Sequence, residues 1–517
     1  MQPGTRAADE QLLEQLRGCV PAELWEGLRG LSARLRWAEL KVQVLEEKLR
    51  LRRIEKYGPG SEKLNAAQLE LLELEPGVSA AEVTAEAARP PLKRRENQQR
   101  ERAPRTGRQE LPPELERRER VLAAPAACAG CGGETTPIGE DRSERLEVKP
   151  PEYFVVVTRR EKRVCAACPE RGVTAAPLPP AIVEKGLASD TVVIDVVIKK
   201  YLDHLPLYRQ SEMLRREAGV DIGRATLDGW VLRVGELLLP VAEAMAQEIR
   251  AGTYIQADET PIAVQTHDRR GKNHQAYLWQ YGCPGGGVVF DYQPGRSRAG
   301  PARFLGKFAG ILQTDGYAAY DAVGGPGMVH AGCWAHARRK FFDAAKANPL
   351  DAEAVALVAR CDQLFALDAE ARRENKSLSG RHDLRHDKAP ALLAALRAEV
   401  ERTRAHALPA SLLSKAAGYT LAQWPKLTRF LDHPELELSN NWAENSMRPL
   451  ALGRKNWIHL GSALAGPPIA AILSVVETCR RLDLPLRTYL AEVLPGLDRR
   501  PRSTVPSLTP IAWAAAR

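Results

Sequence analysis

The sequence lacks any apolar run of eighteen residues, and its first segment, MQPGTRAADEQLLEQLRG, lacks the apolar stretch of a signal peptide. Both absences count against a membrane-spanning or secreted protein. They predict a cytoplasmic protein with no membrane partner.

Cysteine is scarce, with nine residues in 517. Five of them are scattered and are expected to be small buried hydrophobic residues in a reducing compartment: Cys19, Cys283, Cys333, Cys361 and Cys479. The other four form two C-x-x-C pairs, which could supply four thiolates to tetrahedral zinc: Cys128 with Cys131, and Cys165 with Cys168. The gap of 33 residues between the pairs is longer than usual for such sites. We predict a closed, structural zinc site in a zinc-ribbon-like domain, with redox pairs or unligated thiols as the alternatives.

The charge balance is basic, with 74 Lys and Arg against 65 Asp and Glu, a net charge of +9. This excess suits a polyanionic partner, although a solvated surface explains it as well. Residues 89–108 hold eight basic residues against Glu96 and Glu101, with prolines and almost nothing apolar. This composition predicts a disordered linker that could also hold phosphates.

Two helical regions precede the centre of the chain. A heptad seam predicts a coiled coil near the amino terminus, unless that helix packs on its own protein: Leu24, Leu28, Leu31, Leu35, Ala38, Val42, Leu45 and Leu49. The seam should end at the glycines after Tyr57. Residues 185–250 predict helices with a break at Gly219 and Gly223. The pair resembles a helix-turn-helix, or else a common packing unit, and three of its residues could face DNA: Arg224, Thr226 and Arg233.

The central residues predict three strands, then helix, strand, helix, strand and helix, which is the ribonuclease H-like plan. In that plan the first and fourth strands are neighbours, so Asp258 and Asp315 could meet at one sheet edge. Magnesium would compensate the repulsion between two buried carboxylates. The alternatives are that Glu259 is the important acid, and that Asp315 is only a turn residue.

The segment NNWAENSMRPLALGRKNW, residues 440–457, predicts a helix with Asn441 as its N-cap. Helical spacing places Glu444, Arg448 and Lys455 on one stripe, although Pro449 could kink it. Glu444 could complete an acidic triad while the two cations hold DNA phosphates, or Glu444 and Arg448 could form an ordinary ion pair. Three further basic residues are candidates for phosphate contacts: Arg338, Arg339 and Lys340. Residues 346–435 predict a helical insertion.

Several long strings carry a family resemblance: YGPGSEKL, KYLDHLPLYRQ, ADETP, QTDGYAAYDAV, CWAHARRKFFDA, NNWAENSMRPLALGRKNWIHLGS and AAILSVVETCRRLDLPLRTYL. Together with the paired C-x-x-C motifs, they resemble the TnpC-type transposases of insertion-sequence family sixty-six, which belong to the DDE class. The resemblance implies that Asp258, Asp315 and Glu444 are the catalytic acids. It departs at Asn445, where the family has Arg, and at GPGSEKL, where the family has RRSEKL.

The resemblance implies a DNA transposase that binds two Mg²⁺ ions, or Mn²⁺, at the triad and Zn²⁺ at the four cysteines. Its partners would be the terminal inverted repeats and target DNA, with a homo-oligomer and helper proteins of the same element. It would associate with the nucleoid when bound to DNA. A DNA-binding regulator without strand transfer and a hydrolytic nuclease are the alternatives.

The predicted fold class is multidomain α+β, with a ribonuclease H-like core interrupted by the helical insertion. The expected domains are a helical coiled-coil region, a basic linker, a zinc domain, a helical DNA-binding domain, the first part of the core, the insertion, the second part of the core and a carboxy-terminal helical region: 1–75, 76–122, 123–178, 179–250, 251–345, 346–435, 436–470 and 471–517.

Overall fold

The computed structural model describes residues 20–57, 152–164, 173–266, 272–348 and 351–517, together with residues 15, 117, 118, 131, 134 and 145. The chain has an α+β fold built on one mixed sheet with helices packed around it.

The amino-terminal helix α1 spans Ala22–Tyr57, and the glycines at which its end was predicted lie outside the described residues. Its leucine seam faces solvent, with Leu31 and Leu35 each 61% exposed. The helix also touches the rest of the chain, because the Glu47 carboxylate accepts a hydrogen bond from the backbone N–H of Leu412 at 3.1 Å. Because the seam is exposed, the coiled coil with a partner helix stays a prediction.

A small antiparallel sheet, β1 (Lys162–Val164) and β2 (Val173–Ala175), lies within the predicted zinc domain. Three helices follow: α2 (Asp190–Tyr201), α3 (Leu207–Ala218) and α4 (Arg224–Ala251). Helix α3 ends at Gly219, whose φ of 67° is a left-handed conformation that favours glycine. The predicted break before the second helix is therefore confirmed.

The central sheet contains six strands: β3 (Tyr254–Val264), β4 (His274–Gly282), β5 (Val288–Gln293), β6 (Ile311–Gln313), β7 (Val329–Ala331) and β8 (His459–Leu460). Their order is β5-β4-β3-β6-β7, and β8 pairs with the far end of β3. The first three strands are antiparallel, whereas β6 and β8 run parallel to β3, and β7 runs parallel to β6. The prediction that the first and fourth central strands lie side by side is confirmed.

Two expectations about the fourth strand were wrong. Strand β6 ends at Gln313 rather than at Asp315, and a single 3₁₀ turn, Ala318–Tyr320, stands where a helix was expected before β7. The Asp315-Gly316 pair reverses the chain, because Gly316 has a φ of 86°. Glycines at 324, 325 and 327 then leave too short a segment for a helix.

The remaining helices surround the sheet or form the insertion. They are α5 (Ala299–Leu305), α6 (Trp334–Ala347), α7 (Ala352–Arg373), α8 (Leu378–His406), α9 (Leu412–Leu427), α10 (Asn441–Trp457), α11 (Gly466–Arg481), α12 (Leu486–Val493) and α13 (Pro510–Ala515). One apolar core joins the sheet to α2–α4 and α11, and a second lies among α6–α9. The predicted insertion is thus helical, and it shares the second core with α6, β6 and β7.

Helix α11 packs on β5 in the interior of the first core. With the turn before it, Ala463–Arg481 is the one stretch of the described residues that is long and apolar enough to cross a membrane by composition. Since 78% of that stretch is buried in the protein, it has the character of a core helix.

A buried ion cluster holds the insertion to the chain before α10. The Asp368 carboxylate, 2% exposed, accepts hydrogen bonds from Arg381 at 2.6 Å and from Arg385 at 2.7 Å. Arg385 also donates to the backbone carbonyls of Phe430 and Leu436, at 3.0 and 2.9 Å. The insertion is therefore tied to the segment that leads into α10.

Candidate active site

The register between β3 and β6 brings the first two predicted acids to the same place. The last pair of this parallel ladder is Gln256 with Gln313. Asp258 lies two residues after Gln256, and Asp315 lies two residues after Gln313. Side chains two residues apart point to the same face of a strand, although the chain turns just after β6. Both aspartates therefore follow the end of the ladder side by side.

Helix α10 carries the third acid and lies beside the edge of β3 that faces β6 and β8. This edge pairs with β6 at its start and with β8 at its end, where Ala263 pairs with His459. Because β8 directly follows α10, the helix must lie over the gap between β6 and β8. The Trp442 ring anchors it against Gly282 of β4, where even a Cβ atom would come within 2.7 Å of the ring. Glu444 lies in the first turn of this helix.

The electrostatics of Asp258 show that the three acids share one neighbourhood. The pKa of its carboxyl is raised well above the usual range, first by burial and then by the charges of Glu444, Glu259 and Asp315. Its hydrogen bond from the backbone N–H of Glu259, at 2.9 Å, opposes this rise only in part. The site therefore carries repulsion that a cation would relieve.

Glu259 has its own partners, which bears on the alternative that it is the important acid. Its side chain is 2% exposed, and Arg296 donates to it from Nε at 2.9 Å and from Nη2 at 2.5 Å. Tyr320 Oη donates to its other oxygen at 2.9 Å. The Arg296 guanidinium also stacks on the Tyr317 ring at 3.9 Å. Both carboxylate oxygens of Glu259 are thus held by neighbouring side chains.

Glu444 faces two cationic groups of α6. His336 Nε2 lies 3.5 Å from its Oε1, and Arg339 Nη2 lies 3.6 Å from its Oε2. Burial by itself lowers the pKa of His336, but Cys333 and Glu444 outweigh this effect and raise it to about 9. Helix α6 therefore supplies positive charge beside the third acid.

The donor set of the triad fits a divalent cation, although the side chains are not yet gathered around one. Within the described ranges, no three His, Cys, Asp or Glu side chains are close enough together to hold a metal ion. The Glu444 Oε1 atom is nevertheless buried without a hydrogen-bond partner among the described residues. Carboxylate oxygens with unmet hydrogen-bonding capacity and mutual repulsion suit Mg²⁺, which prefers oxygen ligands.

The predicted stripe on α10 is present, because the helix continues through Pro449. Glu444 and Arg448 are half-buried and Lys455 is exposed, whereas the opposite side of the helix faces the core. The prediction of Asn441 as N-cap was wrong, since the helix begins at Asn441 and Asn440 precedes it. The backbone N–H of Ala443 instead donates to Gln256 Oε1 of β3, at 3.2 Å.

The three basic residues of α6 have different surroundings. Arg338 is 4% exposed and forms an ion pair with Asp362 at 2.5 Å, so its burial does not fit a contact with DNA phosphate. Arg339 and Lys340 are exposed, and the Lys340 ammonium lies 4.5 Å from the centre of the Tyr419 ring. Residues 338–340 cannot share one role, because a helix turns successive side chains by about 100°.

The two arginines of the predicted helix-turn-helix also differ. Arg224 is exposed at the first position of α4. Arg233 donates to the backbone carbonyl of Ile182 at 3.2 Å and pairs with Asp498 at 2.5 Å. These bonds tie α4 to the carboxy-terminal region, which indicates a structural role for Arg233.

The predicted zinc ligands fall largely outside the described residues. Cys128, Cys165 and Cys168 lie beyond them, and Cys131 is an exposed free thiol. The zinc geometry therefore stays a prediction from the two C-x-x-C pairs.

Helix α9 of the insertion borders the site, which the sequence did not predict. Tyr419 Oη donates to the backbone carbonyl of Asp315 at 2.6 Å. The Gln423 side chain covers Gly316, where an added Cβ atom would come within 2.9 Å of its Cδ. Gln256 and Gln313 were also missed. Their only signal is a glutamine two residues before an aspartate in both strands.

Matches to family models identify the family of this chain. Residues 185–467 match the family model described as "Transposase IS66 family", over more than half of the chain. The chain belongs to the IS66 transposase family. Residues 125–169 match "zinc-finger binding domain of transposase IS66", a range that includes all four predicted zinc cysteines. Residues 44–120 match "Transposase C of IS166 homeodomain".

Curated relatives of this IS66 family member come from Sinorhizobium fredii. "Uncharacterized protein y4hP" is 30% identical over 503 residues, covering 92% of this chain and 89% of the relative. "Uncharacterized protein y4qI" is 33% identical over 415 residues, covering 77% of this chain and 75% of the relative. The likeness therefore spans the amino-terminal regions as well as the sheet. Family membership implies a transposase that binds DNA.

Proposed function

We propose that this IS66 transposase cuts DNA at the ends of its element and joins the cut ends to target DNA by metal-dependent phosphoryl transfer. The observation that carries the proposal is the convergence of three acids. Asp258 and Asp315 follow the same strand pair, and Glu444 raises the pKa of Asp258. Such a group of carboxylates is costly unless a cation compensates it.

We also assign the sheet to the ribonuclease H-like class. Three antiparallel strands are followed by two strands parallel to the first, and that first strand lies in the centre of the sheet. The helix that carries Glu444 lies over the edge of this central strand. The order of strands and the source of each acid support the assignment.

In the proposed reaction, Asp258, Asp315 and Glu444 hold Mg²⁺, and Mn²⁺ could replace it. The chemistry that two bound ions supply is activation of the attacking oxygen and stabilisation of the leaving oxygen. Water attacks the phosphorus at the element end, which leaves a 3′-hydroxyl and a 5′-phosphate. That hydroxyl then attacks a phosphodiester of the target, so one P–O bond forms as another breaks.

The cationic side chains beside the triad would hold the DNA backbone. Arg339 lies next to Glu444, while Arg448 and Lys455 continue along the outer side of α10. Charged contacts of this kind position DNA without reading its sequence. The zinc domain, the α3–α4 pair and the basic linker would bind the terminal repeats. The exposed leucine seam of α1 would join two protomers, which suits an enzyme that must hold two DNA ends.

The decisive experiment compares matched neutral variants in a strand-joining assay. Purified protein is incubated with Mg²⁺, labelled element-end DNA and target DNA, using wild type, Asp258→Asn and Asp321→Asn. Asp321 lies six residues after Asp315 but pairs with Lys426 at 2.6 Å, so it controls for the loss of a carboxylate near the site. Joined products should appear with wild type and Asp321→Asn and should be absent with Asp258→Asn.

Other outcomes identify the alternative functions. Cleavage without joining would indicate a hydrolytic nuclease. Specific binding of the ends without cleavage would indicate a DNA-binding regulator. Equal joining by Asp258→Asn and wild type would contradict the assignment of the triad.

A further inference from the structure

Two glutamines lie side by side beneath the acids. Gln256 and Gln313 form the last pair of the ladder between β3 and β6, and both are fully buried, at 0% exposure. Each stands two residues before an aspartate of the triad. Fully buried amides are uncommon in a sheet core because they lose hydration unless every bond is replaced.

The hydrogen bonds of this pair fix the orientation of both amides. Gln256 Oε1 accepts from the backbone N–H of Ala443 at 3.2 Å, so Gln256 Nε2 must face the other way. Gln256 Nε2 lies 3.0 Å from Gln313 Oε1. Gln313 Nε2 donates to two backbone carbonyls, those of Glu437 at 2.7 Å and Gly332 at 3.1 Å. Because backbone groups bind both the Gln256 oxygen and the Gln313 nitrogen, only one assignment of oxygen and nitrogen in the two amides is consistent.

The same two side chains also hold the chain that leads into α10. Gln256 Nε2 lies 3.0 Å from the carbonyl of Ser439, besides the bond from Ala443 to its Oε1. Together with the bond from Gln313 to Glu437, these contacts pin residues 437–443 to the sheet. Glu444 is the next residue. The Tyr254 hydroxyl completes the set by donating to Gln313 Oε1 at 2.5 Å.

We propose that Gln256 and Gln313, the glutamine clamp, are positioning residues that set the separation of the three acids. The inference rests on the proposed function. The clamp connects the backbone directly before Asp258, Asp315 and Glu444, which come from distant parts of the sequence. A shift of any of the three would break at least one buried hydrogen bond. The triad thus keeps its geometry although the carboxylates themselves repel one another.

The insertion reinforces the clamp from the other side. The carboxylate of Glu437, whose carbonyl binds Gln313, forms ion pairs with Arg372 and Arg381. Arg381 in turn binds Asp368 of α7. The insertion therefore contributes to the position of Glu444 through ion pairs of side chains outside the acidic triad.

The test measures metal binding separately from catalysis. Mn²⁺ is titrated into metal-free protein, alone and bound to element-end DNA, and followed by calorimetry. Gln256→Met and Gln313→Met keep the side-chain length and remove the hydrogen bonds of the side-chain amides. Thr478→Val is the matched control. Thr478 is also fully buried, and its hydroxyl bridges the backbone N–H and carbonyl of Val288, two strands away from β3.

The clamp variants should bind Mn²⁺ about tenfold more weakly, at the low end of the cost of removing outer partners of metal ligands. Their half-saturating Mg²⁺ concentration for cleavage should rise in parallel, while DNA-end binding without metal stays unchanged. Thr478→Val should lower the melting temperature without moving the Mn²⁺ affinity. If the Met variants do not fold, Tyr254→Phe is a milder variant that removes only the hydroxyl, with about threefold weaker binding expected.

Two results would overturn the inference, and they are distinguishable. Wild-type affinity for Mn²⁺ in the clamp variants or in Tyr254→Phe, with wild type itself binding Mn²⁺, would reject the clamp alone. Failure of wild type to bind Mn²⁺ in either state would reject the proposed metal-dependent function and the clamp with it.

Discussion

The buried carboxylate of Asp368 gives the sharpest prediction about stability. Replacing it with Asn keeps the shape of the side chain but removes the charge that faces Arg381 and Arg385. Both arginines are buried, at 8% and 0% exposure, so neither can recover its hydration. Breaking one partner of a buried ion pair typically costs about 3–5 kcal/mol. We expect Asp368→Asn to lower the free energy of unfolding of the insertion by about this amount.

The change should be visible in the melting temperature. At about 4–8 °C per kcal/mol for a cooperative unit of 60–100 residues, the size range of the insertion, the midpoint should fall by roughly 12–40 °C. Urea and thermal unfolding followed by tryptophan fluorescence would measure it, because Trp334 of α6 and Trp424 of α9 pack 5.7 Å apart in the second core. Asp383→Asn is the control, since this side chain of the same helix as Arg381 is 77% exposed.

The pH dependence provides a second, independent measurement on the same variant. Burial alone would raise the pKa of Asp368, but Arg385 and Arg381 outweigh burial and hold it well below the usual range. A lowered folded-state pKa contributes stability above the unfolded pKa, about 4, and loses it as the pH falls through the folded value. The difference between wild type and Asp368→Asn should therefore shrink below about pH 4. A difference under about 1 kcal/mol at pH 7 would refute the reasoning.

Three further predictions concern the triad, the DNA contacts and the zinc domain. Because burial and the neighbouring acids raise the pKa of Asp258, its ionisation costs stability above about pH 4. Urea unfolding in EDTA between pH 5 and 9 should therefore show a flatter profile for Asp258→Asn than for wild type. The slope of log affinity for DNA against log salt concentration can be measured by fluorescence anisotropy. Arg339→Met and Lys455→Met should each reduce the magnitude of this slope by about one. Arg338→Met should lower stability and leave the slope unchanged. Cys128→Ser or zinc chelation should weaken DNA-end binding and change the circular dichroism of the zinc domain; unchanged signals would contradict its zinc-dependent folding.

Helices and strands could be predicted from the sequence because their signals lie in neighbouring residues. Heptad spacing predicted the helix α1, and Gly219 follows α3 where a left-handed residue is needed. Alternation helped to predict the strands, and the ribonuclease H-like order of elements predicted the pairing of the first with the fourth. The same approach failed after Asp315, because a short segment with two tyrosines and two alanines resembles a helix until the reversal at Gly316 is known.

The sequence shows which side chains are charged, but it does not show which partner each of them binds. Arg338, Arg339 and Lys340 are adjacent in sequence, yet Arg338 is buried against Asp362 and Arg339 faces Glu444. Arg233, predicted to face DNA, binds Asp498 of the carboxy-terminal region. Such partners lie far away in the sequence, so spacing along the chain carries no information about them.

The sequence alone identified the family and was enough to predict the acids and the cysteine pairs, because each lies in a short string whose residues are covalent neighbours. Only the tertiary structure decided how those acids are held together. The register of β3 with β6 aligns Asp258 with Asp315, and buried amides bind the chain before Glu444. These contacts join residues up to 187 positions apart. They exist only after folding, when burial makes each unpaired amide costly and so permits one arrangement.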